Sequence, residues 1–228
     1  TIGDYSLREA IDQAEFGDKI IFAAQLNTAE DGLPKSWVTS GTINMVPPHL
    51  NFNGTWGGQY EITITLSIDG DNRVTIDAGH GSRIFLIEDG QPFTNSTVKL
   101  TGLTMANGNA SYSGGFFSYA GGAVLNRENL TLSGCTITGS RAEIGGGIYS
   151  FSKNGNTTIQ NSTISGNYGA YGGGGVYIKA GIGGNNTINN STISGNYSRQ
   201  GGGVFASAYN GGTNTIDNST ITNNTTHD

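Results

Sequence analysis

In the second half of the chain, short stretches of alternating apolar and polar positions recur at a nearly constant interval. Four of them align without gaps: Leu132-Ser-Gly-Cys-Thr-Ile137, Ile159-Gln-Asn-Ser-Thr-Ile164, Ile188-Asn-Asn-Ser-Thr-Ile193 and Ile216-Asp-Asn-Ser-Thr-Ile221. Their last isoleucines are 27, 29 and 28 residues apart, and a weaker copy runs from Val98 to Leu103. A fixed period of this size marks a stacked array of equivalent units. Ahead of each copy lies a glycine cluster that ends in an apolar residue: Gly121-Gly-Ala-Val124, Gly145-Gly-Gly-Ile148, Gly173-Gly-Gly-Val176 and Gly201-Gly-Gly-Val204. Each unit therefore reads as turn, strand, loop, strand, turn, strand. Strands of three to five residues, rich in Thr, Ile and Val, are too short for a hairpin sandwich. They suffice when each pairs with its copy in the next unit.

Alternation assigns the faces, because successive strand side chains point to opposite sides. Ile137, Ile164, Ile193 and Ile221 are predicted to form one buried column, with Cys135, Ser162, Ser191 and Ser219 inward two residues earlier. Cys135 is then a small core residue and not a reactive thiol. Asn161, Asn190 and Asn218 at the bend are expected to stack as an amide ladder that satisfies turn backbone groups. Upstream, Ser6-Leu-Arg-Glu9 has the form of a capping box, and Leu7, Ile11 and Ala14 share one helical face before Gly17. Candidate strands follow at Ile20-Ile21-Phe22, Gly41-Thr-Ile43, Ile62-Thr-Ile-Thr65, Val74-Thr-Ile76 and Ile84-Phe-Leu-Ile87. The expected fold is all-β: a right-handed parallel β-helix with a short N-terminal capping α-helix. Residues 1–97 hold the cap and irregular first coils, and residues 98–228 hold regular coils of about 28 residues, in one continuous domain.

Composition supports a thin, repeated core: 38 glycines among 228 residues, and 35% hydrophobic residues. The net charge of −6 and the charged fraction of 12% leave no basic surface for a run of phosphates, so nucleic acid is not an expected partner. Acidity is uneven, with fourteen Asp and Glu against seven Lys and Arg in residues 1–128, and three against four afterwards. One cysteine excludes an internal disulfide framework. No apolar run is long enough for a membrane-spanning helix, and no signal segment opens the chain. The start at Thr1 suggests a trimmed or excised piece.

The repeats resemble those of bacterial secreted and surface proteins with parallel β-helices. Ser6-Leu-Arg-Glu-Ala-Ile11 followed by Gly17-Asp-Lys-Ile-Ile-Phe22 looks like the N-terminal segment common in that group. Gly121-Gly-Ala-Val-Leu-Asn126 and the Ile-Ser-Gly-Asn runs ending at Asn167 and Asn196 are similar to the GGA-I and F-x-x-N repeats of polymorphic outer-membrane proteins, with Ile in place of Phe, and to autotransporter passengers. The resemblance implies an extracellular or cell-surface location. It is silent on activity, since such folds carry adhesins, passengers, lyases and hydrolases alike.

Candidate chemistry is sparse. Hydrolases on this kind of scaffold need clustered aspartates, but Glu143 and Asp217 are the only carboxylates after residue 128 within the coils. Lyases need a Lys or Arg base, and Arg141, Lys153, Lys179 and Arg199 are expected to be scattered among loops. His49, His80 and His227 sit in turns or the tail. No catalytic constellation emerges. Calcium is the one cofactor with candidate ligands, Asp69, Asp71 and Asp77 around Asn72, although Asp-Gly there also reads as an ordinary turn. Tyr149, Tyr177 and Phe205, preceded by Leu125, are expected to form an exposed aromatic stripe able to receive sugar rings, or else a satellite core covered by the loops that follow. A second outward array, Thr136/Thr138, Thr163/Ser165, Thr192/Ser194 and Thr220/Thr222, resembles the threonine ladders of ice-binding proteins.

The expected function is a non-enzymatic extracellular segment in adhesion or in a surface filament, with carbohydrate or a host or cell-surface protein as partner. The alternatives are a carbohydrate-active enzyme, with its site near Trp37, Trp56, Asp69, Asp71 and Asp77, and ice binding. The chain stops directly after a regular coil at Asn223-Asn224-Thr-Thr-His-Asp228. An open strand edge there predicts either further coils in a longer chain or end-to-end self-association.

Overall fold

A computed structural model describes residues 7–21, 41–44, 59–91, 95–110, 119–152 and 154–227, with the backbone alone at 8–9 and 41–44. Ser6 and the Glu9 side chain of the expected capping box lie outside the described residues, as do Phe22, Trp37, His49, Trp56 and Lys153.

Every described strand pair is parallel, and strands pair with their counterparts in neighbouring coils. Residues 148–152, for example, pair with 124–126 on one side and with 176–180 on the other. The chain thus winds as a parallel β-helix whose hydrogen bonds run between coils. A six-stranded sheet collects 60–62, 85–87, 124–126, 148–152, 176–180 and 204–208, one strand per coil. A larger sheet of twelve strands forms a second wall, and a four-stranded sheet of 141–144, 168–172, 197–198 and 225–226 closes the section. The strand expected at 62–65 lies earlier, at Tyr60–Ile62, because Tyr60 and Ile62 are the buried pair while Thr63 is exposed.

Left-handed corners recur in register from coil to coil. One follows the strand that carries Ile159 and is occupied in successive coils by Gly102, Gly134, Asn161, Asn190 and Asn218, with φ between 46° and 63°. Gly enters this region freely, and Asn does so at lower cost than most residues with a side chain. This requirement explains the repeated Asn, and it corrects the expected amide ladder. Asn161, Asn190 and Asn218 are exposed; the stacked amides lie six residues further on, at Asn167, Asn196 and Asn224. There the Asn167 side-chain N–H donates to Asn196 Oδ1 at 3.0 Å, and Asn196 donates to Asn224 Oδ1 at 2.9 Å.

The lumen is filled by in-register columns. Ile68, Leu100, Leu132, Ile159, Ile188 and Ile216 form one, and Ile76, Met105, Ile137, Ile164, Ile193 and Ile221 form another. The predicted isoleucine register is therefore present. Ile137, Ile164 and Ile193 are buried as expected, at 1% exposure or less, whereas Ile221, in the last described coil, is 46% exposed. Cys135, Ser162 and Ser191 are buried as expected. The serine hydroxyls accept backbone N–H groups of the preceding coil, Ser162 from Cys135 and Ser191 from Ser162, at 3.1 and 3.2 Å. Each hydroxyl also donates to the carbonyl two residues back, at 2.8 Å. Polar groups can occupy this core because each is paired there.

The helix Leu7–Asp12 lays Leu7 and Ile11 into the same apolar cluster as the lumen residues, and Gly17 (φ 88°) lies just before the first strand. Close stacking also fixes the glycine clusters. A Cβ on Gly174 would overlap the carbonyl oxygen of Gly202 in the next coil and the Tyr197 backbone. Gly174→Ala is expected to cost about 2 kcal/mol, since rigid backbone must move. Urea unfolding of the variant measures this cost, and an unchanged midpoint would contradict such close coil contact.

Candidate ligand-binding surface

The outward side of the six-stranded sheet carries the aromatic residues Tyr149, Phe151, Tyr177 and Phe205. Tyr149, Tyr177 and Phe205 pair in register with one another and with Leu125. Their rings are stacked, with centroids 5.2 and 4.7 Å apart and interplanar angles of 15° and 8°. Of the two expectations, an exposed stripe or a satellite core, the second describes the Leu125 and Tyr149 end of the column. Leu125 and Tyr149 are buried, at 2% and 6% exposure, in a separate apolar cluster with Ala120 and flanking Leu86, Ile144 and Phe151. The tight turn at Gly145 brings Ile144 onto this side, and burial pushes the Tyr149 hydroxyl up to about 12. Tyr177 and Phe205 remain half-buried. Because neighbouring rings occupy each other's faces, the surface offers ring edges and the Tyr177 hydroxyl and not a row of open ring faces.

A second column on this side was not anticipated from the sequence. Phe151, Lys179 and Ser207 pair in register, and the Lys179 ammonium lies 5.1 Å from the ring centres of both Phe151 and Tyr209. Lys179 is thus on a strand and not in a loop. The ammonium is attracted to both ring faces, and the aliphatic stem covers apolar surface. The signal lay in the alternation itself: Phe151 is two residues after Tyr149, and Lys179 two after Tyr177. Alongside the stripe, Tyr171 is 56% exposed.

The larger sheet presents a different face. Thr75, Thr104, Thr136, Thr163, Thr192 and Thr220 stand in one register column. Thr163, Thr192 and Thr220 are exposed. Thr138, Ser165, Ser194 and Thr222 run beside them in register.

The three aspartates considered for calcium have other partners. Asp69 accepts the Lys19 ammonium at 2.8 Å and the Asp71 N–H at 3.0 Å; the Lys19 hydrogen bond, foremost, holds its carboxyl below the ordinary value. Asp71 pairs with Arg73 at 2.8 Å. Asp77 accepts the Gly79 N–H and the Asn107 side-chain amide. The backbone N–H bonds close local turns, the Lys19 and Asn107 bonds tie neighbouring coils, and among the described residues no three His, Cys, Asp or Glu converge as a metal site requires. His80 lies in a left-handed turn (φ 59°), and His227 stacks on Tyr197 with centroids 4.7 Å apart. Burial raises the Cys135 thiol, which suits a core role.

One carboxyl pair escaped the sequence reading. Glu128 is buried, and its two oxygens accept the N–H groups of Asp89 and Ser96, both at 3.1 Å. Thirty-nine residues separate the two acids, and only the coil repeat brings them together. Both Glu128 oxygens face donors of the chain itself, so the pair is built as an internal contact and not as an open acid and base.

Residues 66–227 match the family model described as a right handed beta helix region, and the chain belongs to that family. The match covers most of the chain and agrees with the parallel coils, for which a right-handed crossover is the general rule. No curated protein and no solved structure matches the chain. No described helix is long and apolar enough to cross a membrane.

Proposed function

We propose that this β-helix is a non-enzymatic extracellular scaffold that acts in adhesion at a bacterial cell surface and binds carbohydrate along the aromatic side of its six-stranded sheet. The observation that carries the reading is the pair of parallel columns there, Tyr177 and Phe205 in one, Phe151 and Lys179 in the other, with Tyr209 beside Lys179. Two parallel columns of this kind suit a chain of sugar rings lying along the helix axis. Ring edges and aliphatic stems meet the apolar faces of the sugars, and the Tyr177 hydroxyl and Lys179 ammonium meet their hydroxyls. Similarity of the GGA-I-like repeats to polymorphic outer-membrane and autotransporter repeats supports the location.

A glycan array followed by calorimetric titration of the best binder tests this. Tyr177→Ala and Phe205→Ala should each weaken binding about tenfold, a loss of about 1.4 kcal/mol, while Thr192→Ala on the other face should leave it unchanged. Absence of glycan binding, or binding indifferent to both aromatic substitutions, would overturn the reading. Release of reducing ends or unsaturated products from pectin, alginate or dextran would favour a carbohydrate-active enzyme instead. The threonine column supports a second reading, ice binding, which predicts thermal hysteresis that disappears in Thr163→Lys.

A further inference from the structure

We propose that Glu128 and Asp89 form a proton-dependent clasp that fastens two successive coils where they leave the six-stranded sheet. Strand 85–87 ends just before Asp89, and strand 124–126, its partner in the next coil, ends just before Glu128. Glu128 is 3% exposed. It holds both flanks of the preceding connection, Asp89 through one oxygen and Ser96 through the other. Asp89 in turn accepts the Ser96 N–H at 3.2 Å, the Ser96 hydroxyl at 3.1 Å and the Gln91 N–H at 2.8 Å. The Ser96 N–H lies within hydrogen-bonding reach of an oxygen of each carboxyl, Asp89 Oδ2 at 3.2 Å and Glu128 Oε2 at 3.1 Å, so the two acids meet around one donor. Two ionised carboxylates placed together in this way repel, and a proton on one of them relieves the repulsion.

The charged groups facing the pair are few among the described residues. Arg127 pairs with Glu88 at 2.5 Å on the outer side. The neighbouring strands contribute neutral groups: Asn126, which accepts the Glu128 N–H at 3.1 Å; Asn129, which donates to the Asn95 carbonyl at 3.5 Å; and Ser152, which donates to Asn95 Oδ1 at 3.2 Å.

The direction of the response follows from the two environments. Burial, the largest influence, pushes the Glu128 carboxyl up to about 7, against the pull of the N–H donors. At Asp89 burial acts upward as well, but the hydrogen bonds from Gln91 and Ser96 outweigh it and hold the carboxyl below the ordinary 3.8. Glu128 thus binds its proton more tightly folded than unfolded. Its contribution is complete below the ordinary 4.5, drains as pH rises from 4.5 to about 7, and is gone above that. Asp89 contributes above its ordinary value and loses this as pH falls. The clasp is tight under mildly acidic conditions and loosens through neutrality.

Hydrogen exchange of the whole chain, corrected for the intrinsic pH dependence, tests the clasp in peptides covering 85–91 and 95–101. Between pH 5.5 and 8.5 exchange there should rise about tenfold, while a peptide covering 157–165 stays constant. Glu128→Gln keeps a neutral hydrogen-bonding group and should abolish the rise. Asp89→Asn removes the neighbouring charge and should move the transition to lower pH, which keeps the test open if Glu128→Gln does not fold. A flat wild-type profile, a rise shared by all peptides, or wild-type pH dependence in Glu128→Gln would overturn the clasp.

Discussion

Replacing Ile193 by aspartate should abolish cooperative folding at ordinary temperatures, with a loss of more than about 5 kcal/mol. Ile193 is fully buried and stacked between Ile164 and Ile221. Removing it forfeits about 2–3 kcal/mol of apolar burial. The incoming carboxyl then faces a column of isoleucines with no donor, so it either stays charged at great cost or takes up a proton and remains unpaired. The same substitution at the adjacent Thr192, which is exposed on the outer side of the same strand, should cost under about 1 kcal/mol, because water reaches the new carboxyl. Urea unfolding of both variants checks the contrast. Equal effects would mean that the side of the strand does not set the cost.

Asn196→Ala is the second large effect, expected at about 4 kcal/mol. The Asn196 carboxamide accepts the Asn167 N–H at 2.9 Å and donates to the Ile164 carbonyl at 2.9 Å, in addition to its two ladder bonds. Alanine leaves that N–H and that carbonyl buried without partners, and each such group costs about 1–3 kcal/mol. Asn190→Gly should be nearly neutral by comparison. Asn190 is an exposed corner residue with φ 47°, a conformation that glycine adopts freely. Thermal unfolding of the two variants separates the roles: a corner substitution as damaging as the ladder substitution would show that the corner amides carry structural bonds of their own.

The sequence by itself determined the period, the parallel stacking and the inward columns. Alternation places Ile137, Ile164 and Ile193 on one side of their strands without reference to any distant residue, and the N-terminal Leu7 and Ile11 follow from helical spacing in the same way. Alternation states only which side of a strand a residue occupies, however, and not what else covers that side. Tyr149 points away from the lumen as its position dictates, yet it is buried because Ile144, Phe151 and Tyr177 pack around it. The two Asn positions of each coil are likewise indistinguishable as residue types. Asn161 serves a backbone angle and Asn167 a stacked amide, and only the path of the neighbouring coil separates them. Asp89 and Glu128 show the limit most plainly: each reads as an ordinary acid near a turn, and the hydrogen bonds that bring them together run across coils. Local pattern records what a residue does to its own strand, whereas burial, pairing and proton affinity are set by groups about a full coil away.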